Sequence, residues 1–274
     1  MPQTVFITGC SSGLGRATAL DFAHRGWNVV ATMRQPENSS DFATLDNVLV
    51  TKLDVENEDS IQAAFDSALE RFNSIDVLIN NAGFGLFGLF ETTSPEKVKQ
   101  QFDVNVFGAM ATIRVLLPYF RFAKAGIIVN VSSGAGVFGL PALSLYCASK
   151  FALEGFSEAL SYELASQGIK VKIVEPGGVL STSFGKRSGE EAAGSGSLPS
   201  YASFMAHTAA LFDNMRSGPM GTEEQVTECI YTAVTDGTDQ LRYVATDDIK
   251  PLIHARRETS ETEYMALMRS LFAG

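Results

Sequence analysis

Short apolar, β-branched runs alternate along this chain with longer stretches in which apolar residues recur every three to four positions. Those two periods separate buried strands from amphipathic helices. The first run, 5–8, stops at Gly9, and Leu14, Ala17, Ala19, Leu20 and Phe22 then mark one face of a helix over 14–25. Strands are predicted over 28–33, 48–55 and 75–79, with a helix over 61–72 between the last two. Ser94 followed by Pro95 has the form of a helix start, a capping serine with proline at the first helical position. The pattern beyond it, through Phe102 and Val106 towards Tyr119, predicts two consecutive helices. A strand over 127–131, a helix over 146–165, a strand over 169–174, a helix over 222–234 and a strand over 241–245 follow. An amphipathic helix over 260–271, with Tyr264, Leu267, Met268 and Leu271 on one side, closes the chain. Strands alternating with helices in this way pair in parallel through right-handed crossovers, so the predicted fold is α/β with a doubly wound parallel sheet.

The alternation lapses over 181–221, where Gly, Ser and Ala surround isolated aromatics. An irregular stretch that long inside a compact domain is usually functional or mobile. The expected organisation is one domain: a cofactor-binding and catalytic core over 1–180, a substrate lid over 181–221, and a last helix and strand with a C-terminal extension over 222–274.

Composition narrows the chemistry. The chain has 274 residues, 45% of them apolar and 19% charged, enough for one full core. A net charge of -10 disfavours nucleic acid and anionic membrane surfaces as partners and leaves a small molecule as the expected ligand. Cys10, Cys147 and Cys229 form no C-x-x-C pair, and His24, His207 and His254 are scattered, so no disulfide framework and no metal site are expected. Unpaired thiols suit a reducing, cytoplasmic setting. No leader pattern precedes the first predicted strand and no apolar run is read as long enough for a membrane span, so a soluble protein is expected.

Two stretches carry candidate chemistry. Thr8 to Gly15, with glycines at 9, 13 and 15, joins the first strand to the first helix, where a doubly wound sheet presents backbone N–H groups to a phosphate. Alone, the same residues suit an ordinary tight turn. The acidic residue expected of an NAD site at the end of the second strand is missing: Met33 stands there, followed by Arg34. A guanidinium in that place favours the 2′-phosphate of NADP(H) over NAD(H), unless Arg34 is a solvated surface charge. Asp54 is a candidate for the adenine amino group. In the second stretch, Tyr146 and Lys150 lie four apart and share a helix face. An ammonium beside a phenol is expected to lower the phenol's pKa towards a usable acid/base, with the charge of an oxidised nicotinamide acting in the same direction.

Taken together, TGCSSGLG at 8–15, LDV at 53–55, NNAG at 80–83, Asn105 in DVNVFG, VSS at 131–133, YCASK at 146–150 and PGG at 176–178 resemble the short-chain dehydrogenases/reductases over most of the chain. The resemblance implies a Rossmann-type sheet of about seven strands and hydride transfer at a nicotinamide. It implies a tetrad of Asn105, Ser133, Tyr146 and Lys150, with Ser133 chosen because it precedes the tyrosine by thirteen residues. The implied cofactor contacts are Gly9, Ser11, Ser12, Gly13, Leu14, Gly15, Arg34, Asp54, Val55, Asn81, Ala82, Gly83, Tyr146, Lys150, Pro176, Gly177, Val179 and Thr182. Ser12 replaces the basic residue that many NADP-binding members carry before the second loop glycine. In the implied mechanism Tyr146 passes the proton, Ser133 holds the substrate oxygen, Lys150 holds the nicotinamide ribose, and Asn105 holds a water.

YCASKFALEGFSEAL is similar to members acting on steroids, retinoids and other apolar ketones or alcohols. The aromatic and aliphatic residues at 84, 86, 87, 137, 138, 140 and 143, with Phe184, Tyr201, Phe204, Met205, Phe212 and Met215, are expected around an apolar pocket. The helices over 98–121 and 146–165 resemble the family's subunit contacts, implying a homodimer or homotetramer. Two other functions remain open: a nicotinamide-binding regulator, and an epimerase or dehydratase with no net redox change.

Overall fold

The β-branched runs form one sheet, and the central ones are apolar on both faces, as a strand covered by helices on both sides must be. A computed structural model describes residues 2–180 and 198–272. Its strands are β1 (Thr4–Ile7), β2 (Asn28–Met33), β3 (Val48–Lys52), β4 (Val77–Asn80), β5 (Gly126–Val131), β6 (Ile169–Glu175) and β7 (Arg242–Val244). They pair in parallel in the order β3-β2-β1-β4-β5-β6-β7, with Phe6 opposite both Val30 and Leu78. The order reverses between β1 and β4, so a crevice opens beyond the C-terminal ends of those two strands.

Helices α1 (Gly13–His24), α2 (Glu58–Phe72), α3 (Pro95–Phe102), α4 (Gly108–Ala123) and α5 (Ser144–Ala165) precede β6. After it come α6 (Ala202–Ser217), α7 (Glu223–Thr235), α8 (Lys250–Glu258) and α9 (Glu261–Phe272). Alternate strand residues serve opposite faces. Val5, Ile7 and Val29 pack with Phe22 of α1 and Ile230 of α7, while Phe6, Val30 and Leu78 pack with Ile61 of α2, Leu116 of α4 and Leu160 of α5.

Several expectations change. β3 ends at Lys52, and Leu53, Asp54 and Val55 leave the ladder to line the crevice. α3 runs into α4 through a π turn over Asp103–Phe107 that carries Asn105. The resulting continuous helix, Pro95–Ala123, is long and apolar enough by composition to cross a membrane, against the sequence expectation. Its Ile113, Leu116 and Phe120 are nevertheless buried against the sheet, as in a core helix. Part of the stretch expected to be irregular is helical, because Phe204, Met205, Thr208, Leu211, Phe212 and Met215 recur at helical spacing within α6. α8 was not among the predicted elements; its Pro251 stands in the first turn, where proline is tolerated. The Ser181 to Ser197 part of the expected lid lies outside the described residues.

Candidate active site

The glycine loop turns from β1 into α1 with Gly9 at φ 76° and Gly13 at φ 54°, left-handed values that an L side chain adopts at a cost. A Cβ on Gly9 would stand 2.8 Å from Ala82 Cα, and one on Gly15 would collide with the Asn81 amide and the Gly9 carbonyl. The loop is therefore pressed against the end of β4 with no room for larger residues. At the N-terminus of α1 the Ser12 side chain makes no cap hydrogen bond and the first turn carries no acidic residue. Positive helix-end potential and backbone donors are left facing the crevice, a setting for an anion.

Thr8, which motif reading passed over as part of the loop, holds the two segments together. Its Oγ1 accepts from both Asn81 N and Ala82 N at 3.0 Å, and Asn81 Nδ2 donates to Thr8 O at 3.0 Å and to Gly9 O at 3.2 Å. Asn80 is bound in turn to Asn130 of β5 at 2.9 Å. Replacing Thr8 by the isosteric Val leaves two part-buried N–H donors without their acceptor. Thr8→Val is expected to lower unfolding free energy by about 2 kcal/mol in urea titrations, with Thr8→Ser recovering most of it.

From this loop a single cleft of about 790 Å³ runs along the strand ends to α5. Of the residues expected to contact a cofactor, Gly9, Ser11, Ser12, Gly13, Leu14 and Gly15 line its first part and Arg34, Asp54 and Val55 the side beyond β2 and β3. Asn81, Ala82, Gly83, Tyr146, Lys150, Pro176, Gly177 and Val179 line the rest. Thr182 lies outside the described residues. Arg34 is exposed and forms no ion pair among the described residues. Asp54 Oδ1 accepts from Glu56 N at 3.1 Å. Glu56 also lines the cleft, a residue the motifs did not indicate; burial and the charges of Asp54 and Asp103 raise its pKa while Arg34 opposes them.

At the other end Tyr146, Lys150 and Ser133 meet. Tyr146 and Lys150 are buried in the first two turns of α5, and Ser133 stands at the end of β5 as the N-cap of a short turn, accepting from Ala135 N at 3.2 Å. The Ser133 hydroxyl lies close enough to the Tyr146 phenol to act on its pKa. Lys150 Nζ donates to Val131 O at 2.8 Å and lies 5.8 Å from the Tyr146 ring centroid. The protein's own side chains do not lower the phenol's pKa as the sequence led us to expect. Burial pushes Tyr146 up to about 12, with the neighbouring Ser133 hydroxyl acting the other way. Burial also pushes Lys150 down to about 8, partly offset by Glu154 one helical turn on.

Asn105 lines no part of the cleft. Its Oδ1 accepts from Phe84 N at 3.0 Å, and its Nδ2 donates to Phe84 O at 2.8 Å and Ser149 Oγ at 3.1 Å. The side chain therefore ties the chain after β4 to α5, and the carboxamide's partners are protein groups.

Behind Lys150 a buried charge network fixes α5 to the sheet. Arg242 Nε donates to Glu154 at 3.0 Å, and Arg257 donates to both oxygens of the fully buried Glu175, at 3.1 and 2.5 Å. Both arginines come from beyond residue 240, so no local motif announces them.

The apolar wall differs in part from expectation. Phe84, Phe87, Phe138, Leu140 and Leu143 line the cleft, as do Phe212 and Met215 of α6. Leu86 and Val137 turn into the core instead, Tyr201, Phe204 and Met205 lie off the cleft, and Phe184 is outside the described residues. Met220, Ile249 and Leu252, which the sequence did not single out, complete the wall. α6 is held over the mouth by an edge-to-face contact of Phe212 with Phe87, centroids 5.5 Å apart, and by Tyr201 donating to Glu91 at 3.0 Å. Among the described residues no cluster of His, Cys, Asp and Glu is arranged to hold a metal ion.

The fold is shared with known proteins. The family model described as short chain dehydrogenase matches residues 3–193. An uncharacterized oxidoreductase of Schizosaccharomyces pombe is 37% identical over 86% of this chain and 98% of its own length. A 3-ketodihydrosphingosine reductase of Bacteroides thetaiotaomicron is 41% identical over 64% of each chain. Among solved structures, a short-chain dehydrogenase from Streptomyces avermitilis superposes with a TM-score of 0.82 at 31% identity, covering 98% of both chains. ElxO with NADP bound (TM-score 0.72, 27% identity, 89% of this chain and 98% of that one) and a Burkholderia phymatum short-chain dehydrogenase/reductase in complex with NAD (0.80, 27%, 94% and 93%) are also similar.

Proposed function

The chain belongs to the short-chain dehydrogenase family, and from that premise we propose that it is an NADP(H)-dependent oxidoreductase acting on an apolar ketone, aldehyde or secondary alcohol. The observation that carries the reading is the meeting of the Tyr146 and Ser133 hydroxyls with buried Lys150 between a phosphate-type glycine loop and an apolar wall. The loop fits a dinucleotide: its helix end is free of acidic side chains, and Gly9 to Gly15 border the cleft. Gly9 to Gly15 would hold the pyrophosphate, Asp54 and Val55 the adenine, and Lys150 the nicotinamide ribose. Bound there, the nicotinamide supplies or accepts the hydride.

In reduction, Tyr146 donates its proton to the carbonyl oxygen as that oxygen gains charge. The phenol's raised pKa keeps it protonated at neutral pH, ready for this direction. Ser133 donates to the same oxygen, a fixed dipole aimed where charge develops. The lysine charge beside the phenol stabilises what Tyr146 leaves behind. Asn105 braces Phe84 and Ser149, and with them both sides of this group.

The preference for NADP(H) rests on Arg34, exposed at the cleft beyond a β2 end that lacks a carboxylate. Glu56 draws on the same guanidinium, so the preference is a matter of degree. Arg34→Ala is expected to lower the ratio of kcat/KM for NADPH to that for NADH by about 10- to 100-fold, as loss of a charge-assisted hydrogen bond implies. An unchanged ratio would remove the residue from cofactor choice. The name of the Bacteroides relative, a ketoreductase, supports the ketone class. We propose that α6, whose Phe212 and Met215 line the cleft, covers the substrate. The reading as a whole is tested by incubating the protein with NADPH and NADH against apolar ketones, aldehydes and diketones and following nicotinamide absorbance. Loss of that absorbance with an apolar carbonyl is the expected result, and its absence across the panel would favour a nicotinamide-binding regulator.

A further inference from the structure

A dinucleotide brings a charged diphosphate into the cleft of a chain whose own net charge is -10, so the cations that border the cleft matter. Among the described residues lining it, these are Arg34, Lys150 and Arg216. In the reading above, Arg34 has the 2′-phosphate and Lys150 the nicotinamide ribose. Arg216 has no partner of that kind.

The glycine loop offers backbone donors but no cation of its own. Ser12 stands before Gly13, and Arg16, in the first turn of α1, is tied to Asp41 at 2.6 Å and lines no part of the cleft. A helix end supplies roughly half a unit of positive charge, well short of what a diphosphate presents. A guanidinium from elsewhere would complete the site.

Arg216 stands in the last turn of α6, and the chain beyond it leads back to that loop. Gly218, Pro219 and Met220 line the cleft, and Gly221 N donates to Gly178 O at 2.9 Å. Glu223, which opens α7, lies close enough to Arg16 of α1 to stabilise its charge. The stretch thus runs from the apolar wall, past Gly178, to the phosphate end of α1. Arg216 itself pairs with Asp213, three residues back, at 2.8 Å, with side chains 54% and 73% exposed. An ion pair that open to water is worth little, so the guanidinium can exchange it for a phosphate at small cost. Its planar fork matches two phosphate oxygens at once. The contacts of Phe212 with Phe87 and of Tyr201 with Glu91 hold α6 ahead of this turn, and an anion bound by Arg216 would pin its end as well.

Resting on the oxidoreductase reading above, we propose that Arg216 is a cofactor-binding residue that pairs with the diphosphate held by the glycine loop, so that bound cofactor draws α6 down onto the cleft. NADPH and NADH share the diphosphate. Arg216 therefore serves both equally, in contrast to Arg34.

The test is fluorescence titration of wild type and Arg216→Gln with NADPH and NADH at low and high salt, with hydrogen exchange of residues 202–217 followed alongside. Arg216 is more than half exposed, so the substitution leaves the core untouched. Arg216→Gln is expected to raise Kd about tenfold for both dinucleotides, as loss of a charge-assisted hydrogen bond implies, and to flatten the rise of Kd with salt. ADP-ribose, which has the diphosphate but no nicotinamide, is expected to slow exchange in α6 of wild type and not of the variant. Adenosine 2′-monophosphate, with no diphosphate, should slow it in neither. A loss of affinity for NADPH alone would place Arg216 at the 2′-phosphate and overturn the inference. Unchanged affinity for both dinucleotides overturns it too, whether or not the KM of the carbonyl substrate rises, and so does exchange in wild-type α6 that ADP-ribose leaves unaltered. These three results leave the oxidoreductase reading standing. Failure of wild type to bind either dinucleotide would overturn that reading and this inference with it.

Discussion

Tyr146→Phe is expected to lower turnover by about 10²- to 10⁴-fold, the usual contribution of a positioned acid or base, with NADPH affinity nearly unchanged. The substitution removes one oxygen from a ring that is buried and packed against Ala135 and Cys147, so the loss should appear in kcat and hardly at all in thermal stability. The phenol's pKa, pushed up to about 12 by burial, adds a directional expectation. The proton is in place throughout the neutral range for reduction, whereas oxidation needs the phenolate and should quicken as pH rises. Initial rates in both directions between pH 6 and 10, with fluorescence titration of NADPH, check this. Wild-type turnover by Tyr146→Phe would remove the residue from the chemistry.

Lys150→Met is expected to cost about 10²- to 10³-fold in turnover, the scale of losing one preorganised charged donor, and also to weaken NADPH binding. This joint loss separates it from the tyrosine variant. Burial pushes Lys150 down to about 8, so its charge is lost within an accessible range. The pH profile of kcat/KM for NADPH reports the free enzyme, and in wild type it should fall as pH rises through about 8; the methionine variant should lack that limb. Stability moves in the opposite sense. Folding disfavours the charged amine, and the penalty is fully present below pH 8, where both states are protonated. It is relieved as pH rises from about 8 towards the ordinary 10.5, a gain in stability that the variant should not show. Activity and urea unfolding measured on the same samples test both signs.

Much of the site was legible because each part is local in sequence. The glycines at 9, 13 and 15 mark a turn that backbone sterics confine to small residues, and a tyrosine and lysine four apart must share a helix face. The strands were legible because burial on both faces leaves continuous β-branched runs. What the sequence withheld depends on distance along the chain. Asp248, Ile249 and Leu252 reach a cleft whose other walls lie before residue 225, and Arg242 and Arg257 bind Glu154 and Glu175 more than eighty residues away. The helix α6 was masked by the glycines and serines before it, whose composition outweighed its own 3.6-residue period. The phenol's pKa was misjudged for a related reason: spacing places an ammonium nearby, but only the packed structure shows that Tyr146 is desolvated and pushed up.

The most direct test of the account follows the hydride itself. Wild-type protein is given NADPH deuterated at the transferable nicotinamide position and an apolar ketone, and the product is analysed by mass spectrometry. The account predicts an alcohol carrying deuterium on the former carbonyl carbon, formed in step with NADPH oxidation and almost absent with Tyr146→Phe. Product formed without the label, or formed as fast by Tyr146→Phe as by wild type, would contradict it.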